Sequence, residues 1–223
     1  MMQGISHRPA GRIDGPKAFQ AAFAVSRETL DRLTIYANLL SRWQKTINLV
    51  APSTLSDVWH RHFADSAQLL EHAPTGAAHV LDVGSGAGFP GLVLAIMAAE
   101  HGGTRHTLVE SDTRKAAFLR EVARETRVAV EILAQRIELP ETAAKVGEVN
   151  CVTARALAPL PRLIPLLAPY FGANTVGLFL KGRDVAAELE EARRGWDLEC
   201  QLLPSVTDAE ARIVKLSGLR QKR

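Results

Sequence analysis

Between residues 80 and 91 the chain reads Val80-Leu81-Asp82-Val83-Gly84-Ser85-Gly86-Ala87-Gly88-Phe89-Pro90-Gly91, an apolar run that ends in a glycine-rich turn. Glycines in such a turn let the backbone approach a ligand and reach positive φ. In open α/β sheets ligands bind outside the carboxyl ends of the strands, near the switch in strand order. Gly86 to Gly91 formally fits the G-x-G-x-x-G pattern of dinucleotide sites. Two features point elsewhere. Pro90 stands in the turn, where its fixed φ suits a helix start. Asp82 lies two residues before the first glycine, at the strand tip. A carboxylate there repels a pyrophosphate but attracts a sulfonium and its amino-acid ammonium group. The turn therefore favours S-adenosylmethionine over NAD. Glu110 and Ser111 follow the next apolar run. An acidic residue at that strand end accepts hydrogen bonds from ribose hydroxyls, which either cofactor carries.

Other residues could do chemistry. His62, Asp65 and Ser66 fall at i, i+3 and i+4 and so share one helix face. That face either closes over a cofactor and positions a substrate, or carries a His62–Asp65 surface pair. Arg155 ends a strand on the ligand side, where its guanidinium could hold a carboxylate bidentately, donate to a base, or form a structural ion pair. Cys151 and Cys200 read as small buried residues in a reducing cytoplasm, and no Cys-x-x-Cys or His-x-x-x-His spacing marks a zinc site.

The elements that must position these groups follow from pattern. The 223 residues suffice for one sizeable core with a small appended lobe. Hydrophobic residues make up 47% and charged residues 23%, which excludes a disordered or fibrous chain. The longest apolar run, Leu92 to Ala99, is far short of the roughly 20 residues that span a bilayer. Residues 1–17 lack an apolar h-region and are expected to be a polar, mobile extension rather than a secretory signal. Residues 18–76 read as a helical cap, with Ser26 as an N-cap, a break at Asn48 to Ser53, and a closing Pro74 to Gly76 linker. From residue 77 to 223, five apolar strands alternate with helices and two weaker strands follow, WDLECQLLP and RIVKLS. That alternation predicts a seven-stranded, mostly parallel sheet covered on both faces. Pro159, Pro161, Pro165 and Pro169 predict an irregular segment after Arg155 rather than a long helix.

Four blocks together resemble the bacterial 16S ribosomal RNA guanine-N7 methyltransferases, the glucose-inhibited division protein B family. They are Trp43-Gln44-Lys45-Thr46-Ile47-Asn48-Leu49, Arg61-His62-Phe63-Ala64-Asp65-Ser66, the glycine turn with Glu110-Ser111, and Thr153-Ala154-Arg155-Ala156-Leu157-Ala158 followed by Leu180-Lys181-Gly182. The resemblance covers roughly residues 28 to 216. It implies a class I, Rossmann-like S-adenosylmethionine-dependent methyltransferase domain with a helical N-terminal cap. It also implies methyl transfer to N7 of one guanosine in 16S rRNA, with the 30S subunit as partner. The implied cofactor positions are Gly84, Phe89, Ile137, Glu138 and Arg155, beside Asp82, Gly86, Gly88, Glu110 and Ser111 from the motif itself. Arg155, His62 and Asp65 are the implied positioning residues. Relatives often carry Phe at the position of Leu157, where this chain has no ring to stack on a base.

The chemistry is compatible. Guanine N7 has an in-plane lone pair and no proton, so it needs alignment rather than a general base. The sequence has no Asn/Asp-Pro-Pro-Tyr block for an exocyclic amine and no Pro-Cys nucleophile. A net charge of +3 permits a nucleic-acid partner without requiring one. Arg42, Lys45, Arg61, Lys181, Arg183 and the basic run from Arg212 to Arg223 are the candidate phosphate contacts, and Trp43 and Trp59 could stack on bases. The resulting expectation is a cytoplasmic, membrane-independent enzyme that nothing requires to be more than a monomer. Two alternatives remain: an NAD-dependent oxidoreductase using the same turn, and an RNA-binding module without a cofactor.

Overall fold

A computed structural model describes residues 11–222. Seven strands form one sheet in the order β3-β2-β1-β4-β5-β7-β6. They are β1 (His79–Val83), β2 (Arg105–Val109), β3 (Glu131–Leu133), β4 (Cys151–Arg155), β5 (Val176–Lys181), β6 (Trp196–Pro204) and β7 (Arg212–Gln221). Strands β1 to β5 run parallel to one another, and β7 is antiparallel to both β5 and β6. The strand order reverses between β1 and β4, so a ligand crevice belongs at their carboxyl ends. This is the α/β architecture expected from the alternating pattern. The β3 pairing is shorter than its apolar run, covering only three residues.

The cap begins with α1 (Pro16–Phe23) and α2 (Arg27–Trp43). Ser26 caps α2 by accepting the Thr29 N–H, as its position predicts. Leu33, Tyr36, Leu39 and Leu40 recur on the buried face of α2. The second half of the cap is not one regular helix. A 3₁₀ segment (Pro52–Asp57) leads into a π turn (Trp59–Ala64), then a single α turn, α3 (Asp65–Ala67), and a second 3₁₀ segment (Gln68–His72). The π turn rotates His62 and Asp65 out of simple helical spacing, a device common at functional sites.

Cap and sheet share one apolar cluster. Ile13, Phe19, Tyr36 and Phe63 from the cap pack with Phe89, Leu92 and Phe118 from the α/β part. Phe118 belongs to α5 (Thr113–Thr126), and Leu92 to α4 (Gly91–Ala98), whose residues 91 to 97 are all buried. Residues 1–10 of the expected extension lie outside the described residues. Residues 11–17 depart from it: Ile13 is buried, its N–H donates to His60 Nδ1 at 3.2 Å, and α1 starts at Pro16. His60 thus pins the chain entry and also bonds the Thr207 carbonyl at 3.0 Å.

One further expectation is corrected. The proline-rich stretch after Arg155 does form a helix, α7 (Leu160–Leu167), with Pro161 in its first turn and Pro165 inside. A first-turn proline forfeits no hydrogen bond, and Leu160, Leu163, Ile164 and Leu167 are buried along one face. The weak strand RIVKLS is present as the start of β7, with Ile213, Val214 and Leu216 buried, so Arg212, Lys215 and Arg220 of the basic run are strand residues. The other helices are α6 (Pro140–Val146) and α8 (Val185–Ala192).

One buried residue in the sheet is poorly served. His106 in β2 is 4% exposed and neither ring nitrogen has a hydrogen-bond partner. Burial, with His79 nearby, lowers its pKa from 6.5 to about 4. The folded state therefore holds it neutral, and its contribution to stability is present above pH 6.5 and lost as pH falls from 6.5 towards 4. His106→Leu should raise urea-unfolding stability at pH 7 by about 1 kcal/mol, because it removes unsatisfied buried polar atoms, and should flatten this acid limb. A less stable variant with an unchanged acid limb would contradict the assignment.

Candidate active site

The glycine turn is stitched to the end of β2. Gly84 and Ser85 donate their N–H groups to the Val109 carbonyl at 2.9 and 3.1 Å. Glu110 accepts the Gly86 N–H at 2.7 Å through one carboxylate oxygen and the Asp112 N–H at 2.8 Å through the other. A carboxylate has about four acceptor sites, so Glu110 keeps capacity for two hydroxyl donors beside Gly86. Gly84 has φ +64°, and a Cβ there would stand 2.6 Å from Leu157 Cδ1. Gly88 has φ +92° and leaves room for the Tyr36 hydroxyl, which donates to the Ala87 carbonyl. Ser111 is exposed at the rim, as is Glu138, while Ile137 is buried with its carbonyl held by the Tyr170 hydroxyl at 2.7 Å.

Asp82 does not face the open turn. It is 1% exposed, one oxygen accepts the Thr153 hydroxyl at 2.7 Å, and the other lies without a partner against Gly91. Burial pushes its carboxyl up to about 6. Phe89 is also interior. Its ring lies between Tyr36 and His62, with centroids at 5.2 and 4.9 Å and near-parallel planes, and Arg155 Cζ sits 5.0 Å above it. Its ring serves the packing that joins cap to turn and is not offered to a cofactor.

The cap is tied to the sheet through Asp65. Its Oδ2 lies 3.5 Å from Arg155 Nη1, and its Oδ1 accepts from the Gln68 amide at 2.9 Å and the Thr207 hydroxyl at 2.8 Å. Arg155 also donates to the Arg61 carbonyl at 3.1 Å. Both side chains of the pair are under one-fifth exposed. Burial raises the Asp65 pKa, and Arg155 opposes that rise. Burial likewise lowers Arg155, and Asp65 opposes. His62 and Asp65 do not pair with each other.

The state of His62 follows from its neighbour. Thr54 donates its single hydroxyl proton to the Ala51 carbonyl at 2.8 Å, so its oxygen accepts from His62 Nε2–H, also at 2.8 Å. Nδ1 is then a lone pair, buried and without a partner. Burial, followed by the charges of Arg155 and Arg61, lowers the His62 pKa to about 3. The ring is neutral near pH 7 and cannot act as a general acid there.

A cleft of about 710 Å³ opens over these groups. Its walls are the cap from Leu49 to Asp65, the loop Ala156 to Pro159, the end of β5, and the β6–β7 turn at Thr207 to Ala211. Leu157, 38% exposed, lies on Gly84 and lines this cleft, so one side chain separates the glycine turn from it. The loop is fixed by Lys181, which donates to the Ala158 carbonyl at 2.6 Å and pairs with Glu188 at 2.8 Å, and Glu188 accepts the Leu160 N–H.

The sequence-predicted residues divide accordingly. His62, Asp65, Arg155, Arg61 and Lys181 come together on the cleft. Lys181 is nevertheless only 10% exposed and committed to Glu188, which corrects its reading as a free phosphate contact. Arg42 sits away from the cleft, paired with Glu121, and Lys45 and Arg183 are exposed without lining it. Trp59 packs between Phe19 and Phe63, and Trp43 against Phe118, so neither ring is offered to a base. Thr54, Arg162, Glu188 and Thr207 line the cleft and carry no motif signal; only the fold brings them there. Thr207→Val leaves the buried Asp65 carboxylate one donor short, and should cost about 1–3 kcal/mol in urea unfolding. Unaltered stability would mean that Asp65 does not depend on this bond.

Comparison with known proteins places the chain. A family model described as "rRNA small subunit methyltransferase G" matches residues 29–214. The ribosomal RNA small subunit methyltransferase G of Parvibaculum lavamentivorans is 49% identical over 203 residues, 91% of this chain and 89% of that protein. The protein of the same name from Rhodospirillum centenum is 52% identical over 201 residues, 90% of this chain and 89% of that protein. Among solved structures, a mutant of MtNAS in complex with S-adenosylmethionine aligns with TM-score 0.55 at 17% identity, covering 94% of this chain and 86% of that one. Fibrillarin in its complex with Nop5p aligns with TM-score 0.55 at 15% identity, covering 72% and 82%. At those identities the structural likeness speaks for the fold, the class I methyltransferase sheet. The nicotinamide reading finds no support in any of these matches. The chain belongs to the rRNA small subunit methyltransferase G family.

Proposed function

We propose that this protein transfers a methyl group from S-adenosylmethionine to N7 of one guanosine in 16S rRNA within the small ribosomal subunit. The observation that carries the reading is the junction at Leu157, where the glycine turn meets a nucleotide-sized cleft. The cofactor side fits the residues present. Gly84 and Gly86 are the half-exposed glycines of the turn, and Glu110 has acceptor sites left for ribose hydroxyls. Ile137 clusters with Val83 and Val109 at the ends of β1 and β2, and with Glu138 and Ser111 would receive the adenine end. The bound cofactor supplies an electrophilic methyl on a sulfonium.

The rest is positioning. Guanine N7 needs no proton removed, and the cleft contains no group tuned to remove one: His62, its pKa lowered to about 3 and its Nδ1 buried, is too weak a base, and Asp65 is engaged by three donors. Asp65 holds Arg155 in the cleft wall, where the guanidinium is placed to orient the base or the cofactor carboxylate. The Ala156 to Pro159 loop, fixed by Lys181 and Glu188, sets the separation across Leu157. Rate enhancement then comes from alignment, for which effective molarities are large. Arg61 is exposed and weakly paired with Asp208, so RNA phosphate can displace that carboxylate.

Labelled S-adenosylmethionine offered with 30S subunits lacking this modification should yield label as 7-methylguanosine in 16S rRNA. Label in another nucleoside would overturn the N7 assignment. Glu110→Ala should weaken S-adenosylhomocysteine binding about tenfold or more in calorimetry, the loss expected for hydrogen bonds to a charged acceptor. Unchanged affinity would remove Glu110 from the cofactor site.

A further inference from the structure

Four basic side chains line the cleft: Arg61, Arg155, Arg162 and Lys181. Three face carboxylates. Arg155 lies 3.5 Å from Asp65, Lys181 lies 2.8 Å from Glu188, and Arg61 lies 3.2 Å from Asp208. These are also the three carboxylates of the lining. His62 adds no charge near neutral pH. Arg162 is exposed and pairs with no carboxylate among the described residues. It therefore supplies the uncompensated positive charge of this wall.

Its mounting is rigid. Arg162 is the third residue of α7, and its N–H donates to the Pro159 carbonyl at 3.0 Å. Glu188 accepts the Leu160 N–H at 2.8 Å, and Leu160 and Leu163 on either side of Arg162 are buried. The amino end of α7 offers an anion little itself: the Leu160 N–H is taken, and Pro161 has none. An anion at this end of α7 is left to the Arg162 side chain.

We propose that Arg162 binds a backbone phosphate next to the nucleotide that enters the cleft. This deepens the rRNA reading above and rests on it. A guanidinium fork matches phosphate geometry and can bind it bidentately. The other three cations must give up a carboxylate before they bind an anion, whereas Arg162 gives up only water. The residue fixes the register of the substrate strand, the role of a phosphate contact, and reads no base.

The test uses the full-length protein with undermethylated 30S subunits, comparing Arg162→Ala, Arg162→Lys and Arg162→Glu. Arg194→Ala is the control, because Arg194 is exposed beside the start of β6, at the opposite end of the sheet from the cleft. Arg162→Ala should raise KM for 30S about tenfold. Arg162→Glu should raise it further, and Arg162→Lys should recover most of the loss. The slope of log affinity against log salt should fall by about 0.7 in Arg162→Ala, the share of one phosphate on a single strand. S-adenosylhomocysteine affinity should match wild type in all four variants. A wild-type KM and salt slope in Arg162→Ala would overturn the proposal, and so would loss of S-adenosylhomocysteine binding, which would place the residue at the cofactor. Neither result touches the rRNA reading, which fails separately if the wild-type protein methylates no 16S rRNA.

Discussion

A charged carboxylate inside a protein must be surrounded by donors or it will not stay charged. Asp65 meets that requirement from three directions. Arg155 comes from the end of β4, Thr207 from the β6–β7 turn, and Gln68 from the next turn of the cap. No two of these elements are neighbours in sequence, and Arg155 and Thr207 both line the cleft beside Asp65. The pair is better understood as a positional constraint than as a source of stability, because buried ion pairs roughly balance desolvation against attraction. Its geometry fixes where the cap sits relative to the glycine turn.

The aromatic stack is the apolar half of the same joint. Phe89, inside the glycine turn, packs on Tyr36 from α2 and His62 from the π turn, with Arg155 over its ring. The glycine turn and the cap that bounds the cleft therefore cannot shift independently. For a reaction that needs alignment and no proton transfer, that rigidity is the main catalytic resource. The neutral, tautomer-fixed His62 belongs to this scheme: it is a wedge between cap and turn, not an acid or base.

The local parts of this site were legible in the sequence. The glycine turn, Glu110 at the next strand end, and Arg155 at the end of β4 each follow from spacing and strand pattern. The order of strands and helices does too. What was not legible depends on contacts between distant residues. Thr207 reaches Asp65 across 142 positions, and no periodicity announces it. Lys181 looks like a free cation until Glu188 is seen beside it. Trp43 and Trp59 could have stacked on bases, but the cap uses both rings in its own packing. Helical spacing put His62 and Asp65 on one face as possible partners, and the π turn sends them to different ones. The prolines after Arg155 misled because their effect depends on register: in a first turn they favour the helix they break elsewhere.

Asp65 and Arg155 act as one unit joining cap to sheet. A double-mutant cycle with Asp65→Asn, Arg155→Met and the combined variant, read by urea unfolding, tests it directly. Strong coupling is expected, with each single substitution costing several kcal/mol by stranding its partner and the double variant recovering about 1.5 kcal/mol or more relative to their sum. Additivity within about 0.5 kcal/mol would contradict it and leave the cap held by the aromatic stack alone.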